Sequence, residues 1–207
     1  HICDICSAPL LFRSLFYSQN IGLIVTNIDK TVINDRIITE LESIIKAGHE
    51  VVGVVTQPDK PKGRGKSVLY TPVKEKALEY NLPVFQPVKV REESVIEELR
   101  KLNADIGVVV AFGQLLPQAL LDMPKFGCIN VHASLLPKYR GASPIFKCLY
   151  DGEETTGVTI MYMAPGMDDG DIITQDRVEI SNTDTAASLH DKLSKLGSEL
   201  LIKTLPS

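Results

Sequence analysis

Residues 127–141 constrain the fold of this chain more than any other stretch. A short run, Gly-Cys-Ile, passes directly into an amide and an imidazole two positions apart, Asn130 and His132. Because side chains alternate along a β-strand, both polar groups face the same side of it. A turn that contains Pro137 follows at once. Polar groups at the C-terminal end of a buried strand lie where open α/β sheets bind their ligands, so this strand end predicts a functional site.

A second polar cluster occurs in the turn at residues 165–171, which reads Pro-Gly-Met-Asp-Asp-Gly-Asp. If Asp168 meets the amide and the imidazole, the trio can catalyse acyl transfer without a covalent intermediate. The amide and imidazole can donate to a developing oxyanion, and the carboxylate can accept a proton. Asp169 and Asp171 flank Asp168 and could compete as the base. A lone Asn-x-His at a strand end can also simply satisfy nearby backbone groups.

Apolar runs that fit strands alternate with helical periodicities along most of the chain. The predicted strands cover residues 23–25, 51–55, 84–85, 106–110, 128–132, 158–163 and 172–180. The predicted helices are one with Asp35 at its cap and Gly48 after its end, then 72–80, 92–102, 117–121, 144–150, and a last one from a cap at Thr183 or Asp184 to about Leu205. This alternation predicts an α/β fold with a mostly parallel sheet and helices on both faces.

Bulk composition limits the classes of function. The chain has 207 residues and a formal net charge of −4, so nucleic acid binding would require a local basic patch. No apolar run approaches the ~20 residues of a membrane helix. The four scattered cysteines favour a reducing compartment, and Cys3 with Cys6 forms half of a zinc motif without a second half, so we expect no metal. We expect residues 1–20 to be an irregular segment that precedes one domain at 21–207.

The segment at residues 57–70 forms a local basic patch. It is rich in proline and glycine and contains one acid, Asp59, among four cations: Lys60, Lys62, Arg64 and Lys66. Proline and glycine disfavour regular structure, so we expect a flexible arm that carries these charges. Such an arm suits contacts with RNA phosphates, although a solvated charged loop has the same composition.

These motifs together resemble the formyltransferase family that uses 10-formyltetrahydrofolate. The family pattern combines the Asn-x-His strand end, a Ser-Leu-Leu-Pro loop, here at residues 134–137, and a distant Asp in a Gly-x-Asp-x-Gly-Asp turn, here at residues 166–171. The resemblance runs from about Gly48 to Pro206. Within the family, the basic loop makes the chain most similar to enzymes that formylate methionyl-initiator tRNA. The resemblance implies a Rossmann-like domain, found in the cytoplasm or an organelle matrix, and we expect a monomer.

The resemblance also implies roles for particular residues. Asn130, His132 and Asp168 would be catalytic, and the four cations of the 57–70 loop would bind initiator methionyl-tRNA. The 10-formyltetrahydrofolate pocket would be lined by two segments, one following the strand at residues 106–110 and one following the Asn-x-His strand. These pocket residues are Phe112, Gly113, Leu115, Leu116, Pro117, Ser134, Leu135, Leu136 and Pro137.

The chain departs from the family pattern in three places. Residues 23–31 lack the Gly of the usual first turn and faintly resemble a phosphatase opening, but Asn27 occupies the nucleophile position and cannot form an aspartyl phosphate. Phe146 occupies a position where the family often has Gln. We also expect the C-terminal β-barrel domain of the tRNA enzymes to be absent. The alternatives are a formyltransferase for a small amine, either glycinamide ribonucleotide or an amino sugar, and a non-catalytic remnant that binds folate or RNA.

Overall fold

Strands and helices alternate along the part of the chain that the computed structural model describes, residues 20–21, 34–61, 68–111 and 116–205. The strands are β1 (Asn20–Ile21), β2 (Glu50–Val51), β3 (Val54–Val55), β4 (Lys60–Pro61), β5 (Val68–Leu69), β6 (Val84–Phe85), β7 (Gly107–Val110), β8 (Cys128–His132), β9 (Thr155–Tyr162) and β10 (Ile172–Glu179). The helices are α1 (Asn34–Lys46), α2 (Pro72–Glu79), α3 (Glu93–Arg100), α4 (Gln118–Leu121), α5 (Pro144–Tyr150) and α6 (Ala186–Thr204).

The main sheet has four strands in the order β10-β9-β8-β7. Strands β7 and β8 pair in parallel, whereas β9 is antiparallel to both β8 and β10. Two further parallel pairs, β1 with β2 and β3 with β6, belong to the region where strands and helices alternate. The α/β fold predicted from that alternation is therefore confirmed, and the antiparallel β9–β10 pair brings the acidic turn that joins its strands back to the sheet.

Apolar residues cover both faces of the main sheet. Val108 and Val110 of β7 join one core cluster, which includes Leu189 and Leu193 of α6. Val109 joins a second cluster on the opposite face, with Leu99 of α3 and Leu120 of α4. All four residues of β7 are buried, as expected of a central parallel strand.

Strand β8 follows the same alternation. Ile129 and Val131 point to the α6 side, and Cys128 points to the other. Asn130 and His132, two and four positions after Cys128, share its face. The strand therefore has the predicted bounds and carries the polar pair on the face opposite Ile129 and Val131.

Three local predictions are corrected. Helix α6 is capped by Thr185, not by Thr183 or Asp184: its hydroxyl accepts from the Ser188 amide at 3.2 Å, and the Ser188 hydroxyl accepts from the Thr185 amide at 2.9 Å. Asp35 lies within α1, which begins at Asn34. The apolar run at 51–55 forms two short strands, because β2 pairs with β1 and β3 pairs with β6.

The 57–70 segment is also more regular than predicted. Its ends pair as antiparallel strands β4 and β5, with Lys60 opposite Leu69 and Pro61 opposite Val68. Proline at a strand edge is compatible with this ladder, since its missing amide need not face a partner. Several predictions lie outside the described residues: the strand at 23–25, the turn with Asn27, and the pair formed by Cys3 and Cys6.

Candidate active site

Strand β8 and the acidic turn bring together the three residues that the sequence singles out. Asn130 Nδ2 donates to Asp168 Oδ1 over 3.3 Å, and His132 Nδ1 lies 3.5 Å from Asp168 Oδ2. The His132 side chain is 8 % exposed and that of Asp168 is 18 % exposed, so one edge of the trio can be reached from solvent. Both contacts are long for hydrogen bonds, so they are weak and can be exchanged for contacts with a bound ligand.

The contact at Nε2 determines which ring nitrogen of His132 carries the hydrogen. Nε2 lies 3.0 Å from the carbonyl oxygen of Tyr139. A carbonyl oxygen can only accept, so Nε2 carries a hydrogen and donates it. Nδ1 is therefore the ring nitrogen that faces Asp168. The sequence gives no signal for this contact, because the acceptor is a backbone atom.

Asp168 is held in place by backbone as well as side chains. Its own φ is +49°, a left-handed conformation that Asp tolerates better than most residues. Its Oδ2 accepts the Gly141 amide at 2.8 Å. Gly141 has φ of +79°, and a Cβ there would lie 2.8 Å from Met167 Sδ. Glycine thus allows the loop after β8 to approach the turn closely enough to bind the carboxylate.

The loop at residues 134–137 is braced by the neighbouring strands. Thr159 Oγ1 of β9 donates to Ser134 O at 2.6 Å and accepts from Leu136 N at 3.1 Å. Gln175 Nε2 of β10 donates to Leu136 O at 3.0 Å. Ser134 is fully buried and its hydroxyl donates to Lys138 O at 2.7 Å, so it shapes the loop from within.

The predicted ring pocket is described in part. Leu116, 8 % exposed, packs in the cluster on the face of β8 that carries Asn130 and His132, and Met163 borders that cluster. Pro117 is partly buried and precedes α4. Phe112, Gly113 and Leu115 lie outside the described residues.

The base of the basic loop is tied to the body of the domain. Lys74 Nζ donates to Asp59 Oδ2 at 2.5 Å and to Gln86 Oε1 at 2.7 Å, and Gln86 Nε2 donates to Asp59 Oδ1 at 2.8 Å. Burial alone would raise the pKa of Asp59, but hydrogen bonds from Gln86 and Lys74 lower it below its ordinary value. Asp59, the single acid of the loop, is therefore ionised, and its charge is balanced by Lys74. The net charge of the loop then comes from its four cations.

The basic side chains themselves fall outside this description. Lys62, Arg64 and Lys66 are outside the described residues, as is the side chain of Lys60. Among the described residues there is no group of three or more acidic, histidine or cysteine side chains that could hold a metal ion. None of the helices in that part of the chain is long and apolar enough to span a membrane.

The chain is similar to known proteins over most of its length. The model of a family described as "Formyl transferase" matches residues 24–205. A methionyl-tRNA formyltransferase from Agathobacter rectalis is 61 % identical over 165 residues, which is 80 % of this chain and 53 % of that protein. A methionyl-tRNA formyltransferase from Clostridioides difficile is 56 % identical over the same shares of 80 % and 53 %. The chain therefore spans about half the length of these relatives.

Solved structures agree on the fold. A phosphoribosylglycinamide formyltransferase from Bacillus halodurans superposes with a TM-score of 0.71 at 25 % identity, covering 89 % of this chain and 93 % of that one. A glycinamide ribonucleotide transformylase from Geobacillus kaustophilus superposes with a TM-score of 0.69 at 24 % identity, covering 90 % and 97 %.

Proposed function

Because the chain belongs to the formyl transferase family, we propose that it transfers the formyl group of 10-formyltetrahydrofolate to the amine of methionyl-initiator tRNA and so supports translation initiation. The observation that carries this proposal is the convergence of Asn130 and His132 on Asp168. The identity of 61 % to a methionyl-tRNA formyltransferase supports the choice of acceptor.

The residues of the trio divide the chemistry between them. Formyl transfer to an amine places negative charge on the formyl oxygen, which needs hydrogen-bond donors aimed at it. Asn130 Nδ2 can turn from its 3.3 Å bond with Asp168 to donate to that oxygen. When its ring is doubly protonated, His132 donates from Nε2 to the Tyr139 carbonyl and also carries a proton at Nδ1 that the formyl oxygen can share. Asp168 accepts the proton that the attacking amine loses, directly or through a water, and the departing nitrogen of the donor takes up a proton as its bond to the formyl carbon breaks.

The donor binds in the pocket formed by the loops that follow β7 and β8. Leu116 and Met163 supply an apolar wall on the same face as the catalytic pair, which fits a flat ring system. The family resemblance assigns Phe112, Gly113, Leu115 and Pro117 to the same pocket. When bound, 10-formyltetrahydrofolate supplies the formyl group. Ser134, Leu135, Leu136 and Pro137 form the opposite side, and Thr159 and Gln175 fix their backbone.

The tRNA binds to the loop between β4 and β5. Lys60, Lys62, Arg64 and Lys66 contact its phosphates, and the clamp of Asp59, Lys74 and Gln86 fixes where the loop leaves the domain. Phosphate contacts release counterions, so the logarithm of the binding constant should fall with the logarithm of the salt concentration. The slope should be roughly 0.7–0.9 per contact.

Single-turnover formylation tests the catalytic assignment. We expect Asn130→Ala and His132→Ala each to lower the rate by ~10²-fold or more at saturating donor, as is usual when a donor to an oxyanion is removed. His49→Ala, three residues after the end of α1, is the matched control and should retain the parent rate. Near-parent turnover by a folded His132→Ala protein would refute the assignment.

A titration across ionic strength tests the acceptor. Replacing Arg64 and Lys66 by Ala should lower the salt slope of tRNA binding by roughly 1.5, while donor binding is unchanged. Replacing the exposed Lys101 and Lys195 by Ala removes the same charge elsewhere and should leave the slope as in the parent. Equal slopes for both double variants would exclude phosphate contact by this loop.

Glycinamide ribonucleotide is the second candidate acceptor. The observation in its favour is the structural similarity to enzymes that act on it, at a TM-score of 0.71. A comparison of kcat/KM for charged tRNA and for glycinamide ribonucleotide separates the two. Binding of donor without turnover of either acceptor would instead identify a non-catalytic remnant.

A further inference from the structure

The loop between β8 and α5 turns back on the catalytic histidine at Tyr139. Tyr139 has φ of +59°, a left-handed conformation that a bulky residue adopts only where its surroundings impose it. In this conformation its carbonyl oxygen lies 3.0 Å from His132 Nε2. On one side its neighbour is fixed too, because Ser134 Oγ donates to Lys138 O at 2.7 Å.

The far end of the same residue is anchored on two carboxylates. The Tyr139 hydroxyl lies 2.9 Å from Asp151 Oδ2 and 2.8 Å from Glu153 Oε1. Lys138 Nζ, 2.8 Å from Glu153 Oε1, holds that carboxylate in place. The hydrogen bond to Glu153, burial and the hydrogen bond to Asp151 all raise the pKa of the Tyr139 phenol. The hydroxyl therefore stays protonated and remains a donor at neutral pH.

We propose that Tyr139 is a positioning residue for the reaction: its hydroxyl, anchored on Asp151 and Glu153, holds its carbonyl where it fixes the proton of His132 on Nε2. Nδ1 is then the one ring nitrogen that exchanges a proton in the site. The catalytic importance of this device rests on the proposed function, but the protonation of the ring does not.

The charged groups around the His132 ring support proton exchange at Nδ1 alone. Strands β7 and β9 flank β8, and Tyr162 is the one titratable residue in their sequences. Helix α6 packs on the opposite face of the sheet, against Ile129 and Val131. The charged residues of the two loops that border the ring are Lys138, Arg140, Asp168, Asp169 and Asp171, and Lys138 is paired with Glu153. Of these, Asp168 lies 3.5 Å from Nδ1.

Nitrogen NMR of the imidazole rings tests the proposal without any substrate. The chain has four histidines, and His132→Ala assigns the signals of interest. In the parent we expect the Nε2–H form at high pH. In Tyr139→Phe the anchor is lost and the carbonyl is released. The Nδ1–H form should then appear, and the titration midpoint of the ring should fall by ~0.5–1 pH unit, since an acceptor of Nε2–H stabilises the protonated ring.

The matched control is Tyr150→Phe, which deletes the same oxygen from a residue of α5 that is 92 % exposed. It should leave the His132 signals unchanged. The double variant Asp151→Asn/Glu153→Gln keeps the tyrosine but weakens its anchor, and it should shift the midpoint in the same direction. This variant also decides the question if Tyr139→Phe does not fold.

Turnover adds a second readout. In Tyr139→Phe the alkaline limb of kcat should move to lower pH by the same ~0.5–1 unit, with KM for the donor unchanged. Parent-like His132 spectra in folded Tyr139→Phe, or equal shifts in Tyr150→Phe, would overturn the proposal. An NMR shift in a protein that formylates neither acceptor would uphold the positioning role and refute the proposed function instead.

Discussion

Gly141→Ala perturbs the contact between the loop after β8 and the acidic turn. Gly141 has φ of +79°, and its amide donates to Asp168 Oδ2 at 2.8 Å. An alanine keeps the amide but favours a negative φ, in which the N–H no longer points at the carboxylate. The backbone conformation that alanine favours is therefore incompatible with the hydrogen bond from residue 141 to the Asp168 carboxylate.

The expected cost follows from the geometry. A residue with a Cβ in the left-handed region costs roughly 1–2 kcal/mol. The new Cβ would lie 2.8 Å from Met167 Sδ, but this thioether ends a flexible side chain and can rotate away. We expect the free energy of unfolding to fall by about 1–2 kcal/mol. A hydrogen bond to a charged acceptor contributes about 1.5–3 kcal/mol, so losing it should lower formyl transfer ~10–100-fold.

Urea unfolding and single-turnover formylation measure the two effects separately. Gly48→Ala is the matched control, since Gly48 has φ of +87° and open space around an added Cβ. It should cost similar stability and leave the rate unchanged. Met167→Ala in the Gly141→Ala background should recover little, because the clash is the smaller part of the cost.

Two results would refute this reasoning. If Gly141→Ala loses stability but keeps the parent rate, the amide of Gly141 does not hold Asp168 for catalysis. If Gly48→Ala lowers the rate as much as Gly141→Ala does, the loss comes from general destabilisation.

Three further predictions concern single groups. Asp168→Asn should lower formyl transfer by ~10²-fold or more, and Asp168→Asn/His132→Ala should lose much less than the product of the two single losses, because the residues act as a unit; rapid-quench kinetics measure this. The hydrogen bond from Lys192, with others from the Ser181 amide and the Ser188 hydroxyl, lowers the pKa of Asp184 to about 2. Asp184→Asn should therefore be less stable than the parent at pH 7 by thermal unfolding, and the difference should shrink as the pH falls from about 4 towards 2, where the parent carboxylate gains its proton. Burial, aided by the charge of Asp122, raises the pKa of the Cys128 thiol to about 12, so mass spectrometry should find Cys128 unmodified by iodoacetamide at pH 8 until urea unfolds the chain.

The sequence by itself determined the features that depend on near neighbours. Alternation along β8 is a local property, so the shared facing of Asn130 and His132 could be predicted from their spacing of two. The bounds of β8 and α5 and the pairing of β9 with β10 follow from runs of apolar residues and the turn between them. Where two local signals compete, the prediction was wrong by a residue or two, as at the Thr185 cap, because several neighbouring polar residues can each cap a helix.

Only the tertiary structure decided how the site is held together. Asp168 reaches Asn130, 38 positions away, because the β9–β10 hairpin returns the turn to the end of β8. The groups that fix the trio are the Tyr139 carbonyl and the Gly141 amide, and all residues but proline have both backbone groups, so no residue type marks them. Thr159 and Gln175 face each other across the β9–β10 pair and brace the loop from there. Residue types and their spacing therefore indicate which chemical groups the site contains. The distances between those groups arise from strand pairing and loop conformation.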